Sequence, residues 1–497
     1  MRYFAVIIGI MWTMNVAAQE PFEEQRDKLM GGFNEFRSSI MNDYKVFREK
    51  ILKDYCEMLK QAWSELDAFS GIPLPVEKQL PPMVFPEKDI DKPLHDTPKP
   101  IEEVIRPVKP QPQPKPVVPV RPKPEPAPNR CSFTFLGTEV TVRLDKSEAP
   151  VLRDNDIESV SAFWEELCDD RYDAMVEDCL TIREKLSLCD WAYLLFLREL
   201  GNTVYKDNHD SAVLMMLYVY CLSGYAVRLA LTENDSLCLM YASQHVICDK
   251  LYWEYDGTKY YALDFDGNRI SISTAHFPGE QPLSLLVPNN QHLAYAASAP
   301  RSLVSKRYPD VSVSLSVNKN LIDFYNTYPT STLGEDFMTR WAMYANTPMD
   351  DNVKKTLYPA LGDKIKGLEQ QDAANRLINW VQTAFIYEYD DKVWGHDRAF
   401  FAEESLYYPY CDCEDRSILF SRLVRDLLGL NVVLVFYPGH LATAVNFTED
   451  VKGDYIVVDG KKYVICDPTY MGAPVGWTMK GMDNATCKAI LLDNASR

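Results

Sequence analysis

Three residues near the C-terminus have types and spacing that could do chemistry: Cys413, His440 and Asp467. Cys413 stands in Cys411-Asp-Cys-Glu-Asp-Arg-Ser-Ile-Leu-Phe420, at the start of a predicted helix. A helix N-terminus favours the thiolate, which is the nucleophilic form. His440 follows the turn Tyr437-Pro-Gly439 and heads a strand through Phe447, while Asp467 closes the strand Tyr463-Val-Ile-Cys-Asp467. Together they read as a thiol nucleophile, an imidazole acting as base and then acid, and a carboxylate that fixes the imidazole tautomer. The oxyanion of such a reaction needs the Cys413 amide and a side-chain donor. Gln382, Trp394 and Tyr408 are candidates for that donor, and the sequence does not choose among them. Asp415, in the first helical turn, reads as a cap. Zinc is the rival chemistry, with Cys411, Cys413, His440 and Cys466 as possible ligands. Against it, Cys466 adjoins Asp467 in a strand, so the two face opposite ways. Cys411 reads as structural or as half of a reversible disulfide.

The order of a Cys at a helix start, a His at a strand start and an Asp-Pro-Thr at a strand end resembles the transglutaminase-like superfamily, a papain-like cysteine fold. Cys413-Glu-Asp-Arg-Ser417 resembles its nucleophile motif, and Leu423-Val-Arg-Asp-Leu-Leu-Gly429 the helix after it. Ile378-Asn-Trp-Val-Gln-Thr-Ala-Phe-Ile-Tyr387 resembles the helix before it. His440-Leu-Ala-Thr-Ala-Val445 corresponds to the His-Ala-Trp-type strand, with Ala442 and Thr443 in place of the usual aromatic. The match spans roughly residues 346–497 and is specific as a joint pattern. It implies an acyl-thioester enzyme that needs no cofactor and no metal.

The middle of the chain repeats this pattern without its reactive groups. Residues 210–231 fall on 415–436 without gaps, aligning Asp210 with Asp415, Gly224 with Gly429 and Leu229 with Leu434. Tyr252–Asp264 falls on Tyr455–Asp467. Asn208 then stands where Cys413 stands, and only Asp235-Ser-Leu237 lies near the His440 position. The expected fold class is therefore α+β, with two transglutaminase-like domains. The first, over 130–300, is degenerate; a connector covers 301–345; the second, over 346–497, is catalytic.

What positions these domains lies upstream. Met1–Ala18 has a basic start, a short apolar run and Val16-Ala17-Ala18 before Gln19, the pattern of a cleaved secretory signal. The expected location is secreted or periplasmic, as in exported bacterial-type proteins of this kind, with no transmembrane segment in the mature chain. Residues 19–70 read as a long amphipathic helix with an eleven-residue repeat, its stripe running through Phe33, Phe36, Ile40, Tyr44, Phe47, Ile51, Tyr55 and Met58. That stripe must pack on the main body, on a second copy or on an envelope partner. Of 32 prolines, 18 fall between Pro73 and Pro128, so 71–129 reads as a linker without helix or central strand. As polyproline II it would be a stiff spacer up to roughly 180 Å long.

A formal net charge of -19 argues against general binding to nucleic acid. Twelve cysteines are too few for a disulfide framework in 497 residues. The sequence thus points to an exported cysteine enzyme acting on amide bonds of a peptide or protein substrate, hydrolytic rather than cross-linking. The alternative is an envelope scaffold or peptide-binding protein with a vestigial site.

Overall fold

Alternating and continuous apolar runs in the two halves of the chain build two curled, mainly antiparallel sheets, each packed on a pair of helices. The computed structural model describes residues 45–74, 80–107, 109, 112–117, 129–334 and 336–494. The signal segment, the first eleven-residue repeat and the Val120–Pro126 run lie outside the described residues. The molecule is mixed α+β. Among the described residues no helix is long and apolar enough to cross a membrane.

In the first half, α2 (Asp190–Tyr205) packs on α3 (His209–Leu222). Every residue of α3 from Ser211 to Leu222 is buried, which explains its apolar sequence on all faces. Strands β4 (Val227–Thr232), β5 (Leu237–Ala242), β6 (Trp253–Tyr255), β7 (Thr258–Ala262) and β8 (Arg269–Ile272) follow. They lie in the order β8-β4-β5-β7-β6. In the second half, α5 (Gln370–Ala384) packs on α6 (Cys413–Leu428). Strands β9 (Asn431–Tyr437), β10 (His440–Asn446), β11 (Asp454–Val458), β12 (Lys461–Cys466) and β13 (Cys487–Leu491) lie in the order β13-β9-β10-β12-β11. The two orders are the same, element for element. The internal repeat read from the sequence is therefore a repeat of topology.

The described residues before 130 do not stand away from these units. Helix α1, over 45–59, buries Leu52, Tyr55, Cys56 and Leu59 on the first unit. The Tyr55 ring stacks on Trp164 at 4.1 Å and on Phe277 at 4.6 Å. Arg48 points inward to Asp173, and Phe47 is 48% exposed. The buried face is thus turned from the predicted stripe: Arg48 replaces Phe47 on it, because Asp173 offers a charge partner. The helix ends by residue 60, and β1 (Ser64–Asp67) pairs with β8 at the sheet edge.

The proline-rich spacer is likewise corrected. β2 (Thr97–Pro98) pairs parallel to β11, and β3 (Ile101–Ile105) pairs parallel to β13. Both are edge strands, where a missing amide hydrogen does no harm. Residues 112–117 cross the first unit as a strap, with Val117 N–H donating to Leu222 O at 2.9 Å. The strap passes so close that a Cβ on Gly224 (φ +92°) would lie 2.2 Å from Lys115 O. Only glycine fits there.

Candidate active site

The first turn of α6 is set by its own acids. Asp412 is the N-cap, and Asp415 Oδ2 accepts the Asp412 N–H at 3.2 Å while its Oδ1 accepts the Phe400 N–H at 2.8 Å. Asp415 is therefore a cap, as its position in the sequence implies. Gly429, at φ +65°, closes the other end of the helix. Arg416 is fully buried and donates to Gln382 O and Phe385 O, each at 3.1 Å, locking α6 to the end of α5. Ser417 Oγ donates to Leu441 O at 2.9 Å and fixes α6 against β10 beside His440.

His440 and Asp467 are joined by sheet register. Tyr437 pairs with His440 across the turn, and Thr443 pairs with Cys466. Asp467, just beyond β12, reaches His440: Nε2 and Oδ2 are 2.9 Å apart. Asp467 Oδ1 accepts the N–H groups of Thr469 at 2.9 Å and Tyr470 at 3.0 Å, so the carboxylate is held in place. Thr443, which stands where the resembled family has an aromatic nearby, donates to Cys466 O at 2.5 Å and ties β10 to β12. With Nε2 engaged by Asp467, Nδ1 is the His440 nitrogen left for the cavity.

Cys413 and His440 line one small cavity of about 10 Å³, with Trp341, Asp397 and Glu414 in its wall. That volume holds about one water. The Cys413 thiol donates to Glu414 Oε2 at 3.2 Å and is 3% exposed. Burial, then the Glu414 and Asp412 carboxyls, push the thiol well above its ordinary range. This reverses the sequence expectation of a helix-stabilised thiolate. The dipole is present, but desolvation and two acids outweigh it.

Further acids converge behind the thiol. Ligand atoms of Asp412, Cys413 and Glu414 lie within 4.8 Å of one another, as do those of Asp390, Asp412 and Asp415, and of Asp390, Asp397 and Glu414. Burial, then Glu414, raise Asp390 to about 8, and burial, then Asp412, raise Glu414 and Asp415. Protons shared among these carboxyls lessen the negative charge a cation would need. The zinc set read from the sequence does not converge in this way. Cys411 Sγ accepts from Arg416 Nε at 3.4 Å, and the Cys466 thiol turns to Val464 O. All twelve cysteines are free.

The three oxyanion candidates are placed elsewhere. Gln382 is fully buried, and its Nε2 donates to Asp467 O, Tyr470 O and Ala473 O at 2.9, 2.9 and 3.0 Å. Its Oε1 accepts the Gly472 N–H at 3.1 Å. Gln382 thus positions the Asp467 loop and has no donor left for substrate. Trp394 and Tyr408 pack edge to face at 4.9 Å around Arg398, and the Tyr408 hydroxyl donates to Asn326. Neither lines the Cys413 cavity.

Trp341, which the sequence does not single out, lines the Cys413 cavity. It sits on α4 (Thr339–Asn346), which packs on α6, and its Nε1–H is buried without an acceptor. It lies in the predicted connector, before the predicted boundary at 346. The available signal was the apolar run Trp341-Ala-Met-Tyr-Ala345, which reads as a buried helix.

The corresponding place in the first unit lacks this chemistry. The offset of β4 on β9 and the register Leu231↔Leu237 put Ser236 at the His440 position. Ser236 Oγ donates to Asp210 Oδ1 at 2.9 Å, Asn208 caps α3, and Asp264 pairs with Arg198. An open cleft of about 1090 Å³ lies over Asn208, Asp210 and Ser236. Comparison with family models, curated proteins and solved structures found no match to the chain.

Proposed function

We propose that this chain is a transglutaminase-like cysteine enzyme that acts on amide bonds of peptide or protein substrates, exported to the periplasm or cell exterior. The observation that carries the reading is the single cavity shared by Cys413 and His440, with His440 held by Asp467 at 2.9 Å. Because the thiol rests protonated, Cys413 attacks as S–H, and His440 removes the proton as the sulfur–carbon bond forms. The Cys413 amide and Trp341 Nε1–H are the donors we assign to the oxyanion. Collapse breaks the carbon–nitrogen bond, and His440 returns the proton to the leaving amine. Water then attacks the acyl-thioester, giving a carboxylic acid and restoring the thiol; a primary amine in its place would give a new amide.

The resting cavity is too small for a peptide, so the wall formed by Glu414 and Asp397 must open for turnover. The same closure favours a second reading, a binding scaffold with a vestigial site. Incubating the full chain with a peptide library and a primary amine, read by mass spectrometry, separates the two. Cleaved or amine-bearing peptides that vanish in Cys413→Ala support the enzyme. Identical libraries before and after incubation support the scaffold.

A further inference from the structure

A second cavity lies between His245 and Leu286–Pro288 of the first unit, α4, and the segment at Pro107 and Lys109. Its volume is about 170 Å³, against the 10–15 Å³ or so that one water needs on this measure. Arg340 and His245 line it, and each is only 2% exposed. Arg340 Nη2 donates to Asp397 at 2.7 Å, but its Nε and Nη1 are buried without an acceptor. The guanidinium lies 3.8 Å from the Phe337 ring centroid and 4.2 Å from that of Trp341, so its plane is fixed. His245 Nδ1 lies 3.3 Å from Ser331 Oγ, and Nε2 is buried without a partner. Burial pushes His245 down to about 3, so the ring is neutral at physiological pH. When Ser331 donates to Nδ1, Nε2 carries the hydrogen and becomes a donor.

Arg340 Nε–H and Nη1–H are donors, and with Ser331 donating to Nδ1 so is His245 Nε2–H. Leaving such donors buried and unpaired is costly. Exposed Lys109 and exposed Asp493, which also line it, oppose each other in sign, so the inner donors decide. Asp397 already pairs with Nη2, so the occupant must bring acceptor oxygens to Arg340 Nε and Nη1 and to His245 Nε2, and must be small. We infer that this cavity is a binding site for a small oxyanion, a carboxylate or a phosphate, held by Arg340 and His245. Neither residue belongs to the Cys413 machinery, so the inference stands or falls apart from the proposed activity. Arg340 does, however, hold Asp397, which walls the Cys413 cavity.

Isothermal titration of the full chain at pH 7 with inorganic phosphate, and separately with succinate, tests this, with sodium chloride at matched ionic strength as control. Saturable one-to-one binding of either probe is expected, and the probe that binds tells phosphate from carboxylate. Arg340→Gln should weaken it about tenfold or more, the scale of a lost charge-assisted hydrogen bond. If circular dichroism shows that Arg340→Gln does not fold, His245→Phe decides, with a weakening of about threefold or more expected. No saturable binding of either probe by the wild type overturns the inference. So does unchanged affinity in the folded deciding variant, which would mean that waters alone fill the cavity.

Discussion

Gln382→Leu removes an amide whose every polar atom is spent on the Asp467 loop. Two N–H hydrogens serve three carbonyls, and the amide oxygen accepts one N–H. Counting three net hydrogen bonds at about 1–1.5 kcal/mol each gives a loss of roughly 3–5 kcal/mol. Leucine has similar volume, so no cavity is added to this figure. A loss of that size is a large share of the stability of an ordinary domain, about 5–15 kcal/mol. Urea unfolding followed by tryptophan fluorescence reads it as a lower midpoint, with an unchanged slope. Activity should fall too, because the loop that orients Asp467 and hence His440 loses its anchor. An oxyanion donor would behave differently: the variant would lose kcat at wild-type stability. A midpoint shift worth less than about 0.5 kcal/mol, with kcat strongly reduced, would refute the positioning role.

Trp341→Phe keeps the stack on Phe436 (5.6 Å between centroids) but removes the indole N–H; kcat should fall by about 10²-fold with KM little changed. Glu414→Gln removes the acid that accepts the Cys413 thiol hydrogen. The thiolate is then less disfavoured, the thiol's pKa falls, and iodoacetamide labelling of Cys413 at pH 8 should quicken by about tenfold per unit of the drop. Glu403 is buried and raised to about 7, burial being the first cause. A carboxyl raised above its unfolded value stabilises fully below about pH 4.5, and that contribution is lost as pH rises through about 7. Glu403→Gln should flatten the fall in stability across this window, by up to about 3 kcal/mol, in unfolding curves taken from pH 4.5 to 8.

Local chemistry made much of this molecule legible in its sequence. The nucleophile helix starts at Cys413 as predicted, because acids cap that end, and Gly429 stops it after Leu428. The repeat read from the sequence reappears as the shared strand order of the two sheets. What escaped depends on distant residues. The acids that raise the thiol, Asp412 and Glu414, flank it in the sequence, but the burial that is the larger cause comes only from the fold. The partners of Gln382 are backbone carbonyls 85 to 91 positions away. In the proline-rich stretch, overall composition hid the five-residue window Ile101-Glu-Glu-Val-Ile105, which is free of proline and long enough for an edge strand. The burial of Arg48 in place of Phe47 likewise required a partner, Asp173, from another element.

The central claim is that Cys413 carries an acyl group during turnover. The direct measurement is acid quenching of the full chain while it reacts with an activated peptide ester, followed by digestion and mass spectrometry of all twelve cysteine-bearing segments. The account predicts a thioester adduct on Cys413 alone, absent in Cys413→Ala and greatly reduced in His440→Ala. An adduct spread over other cysteines, or none on Cys413 while product forms, would contradict it.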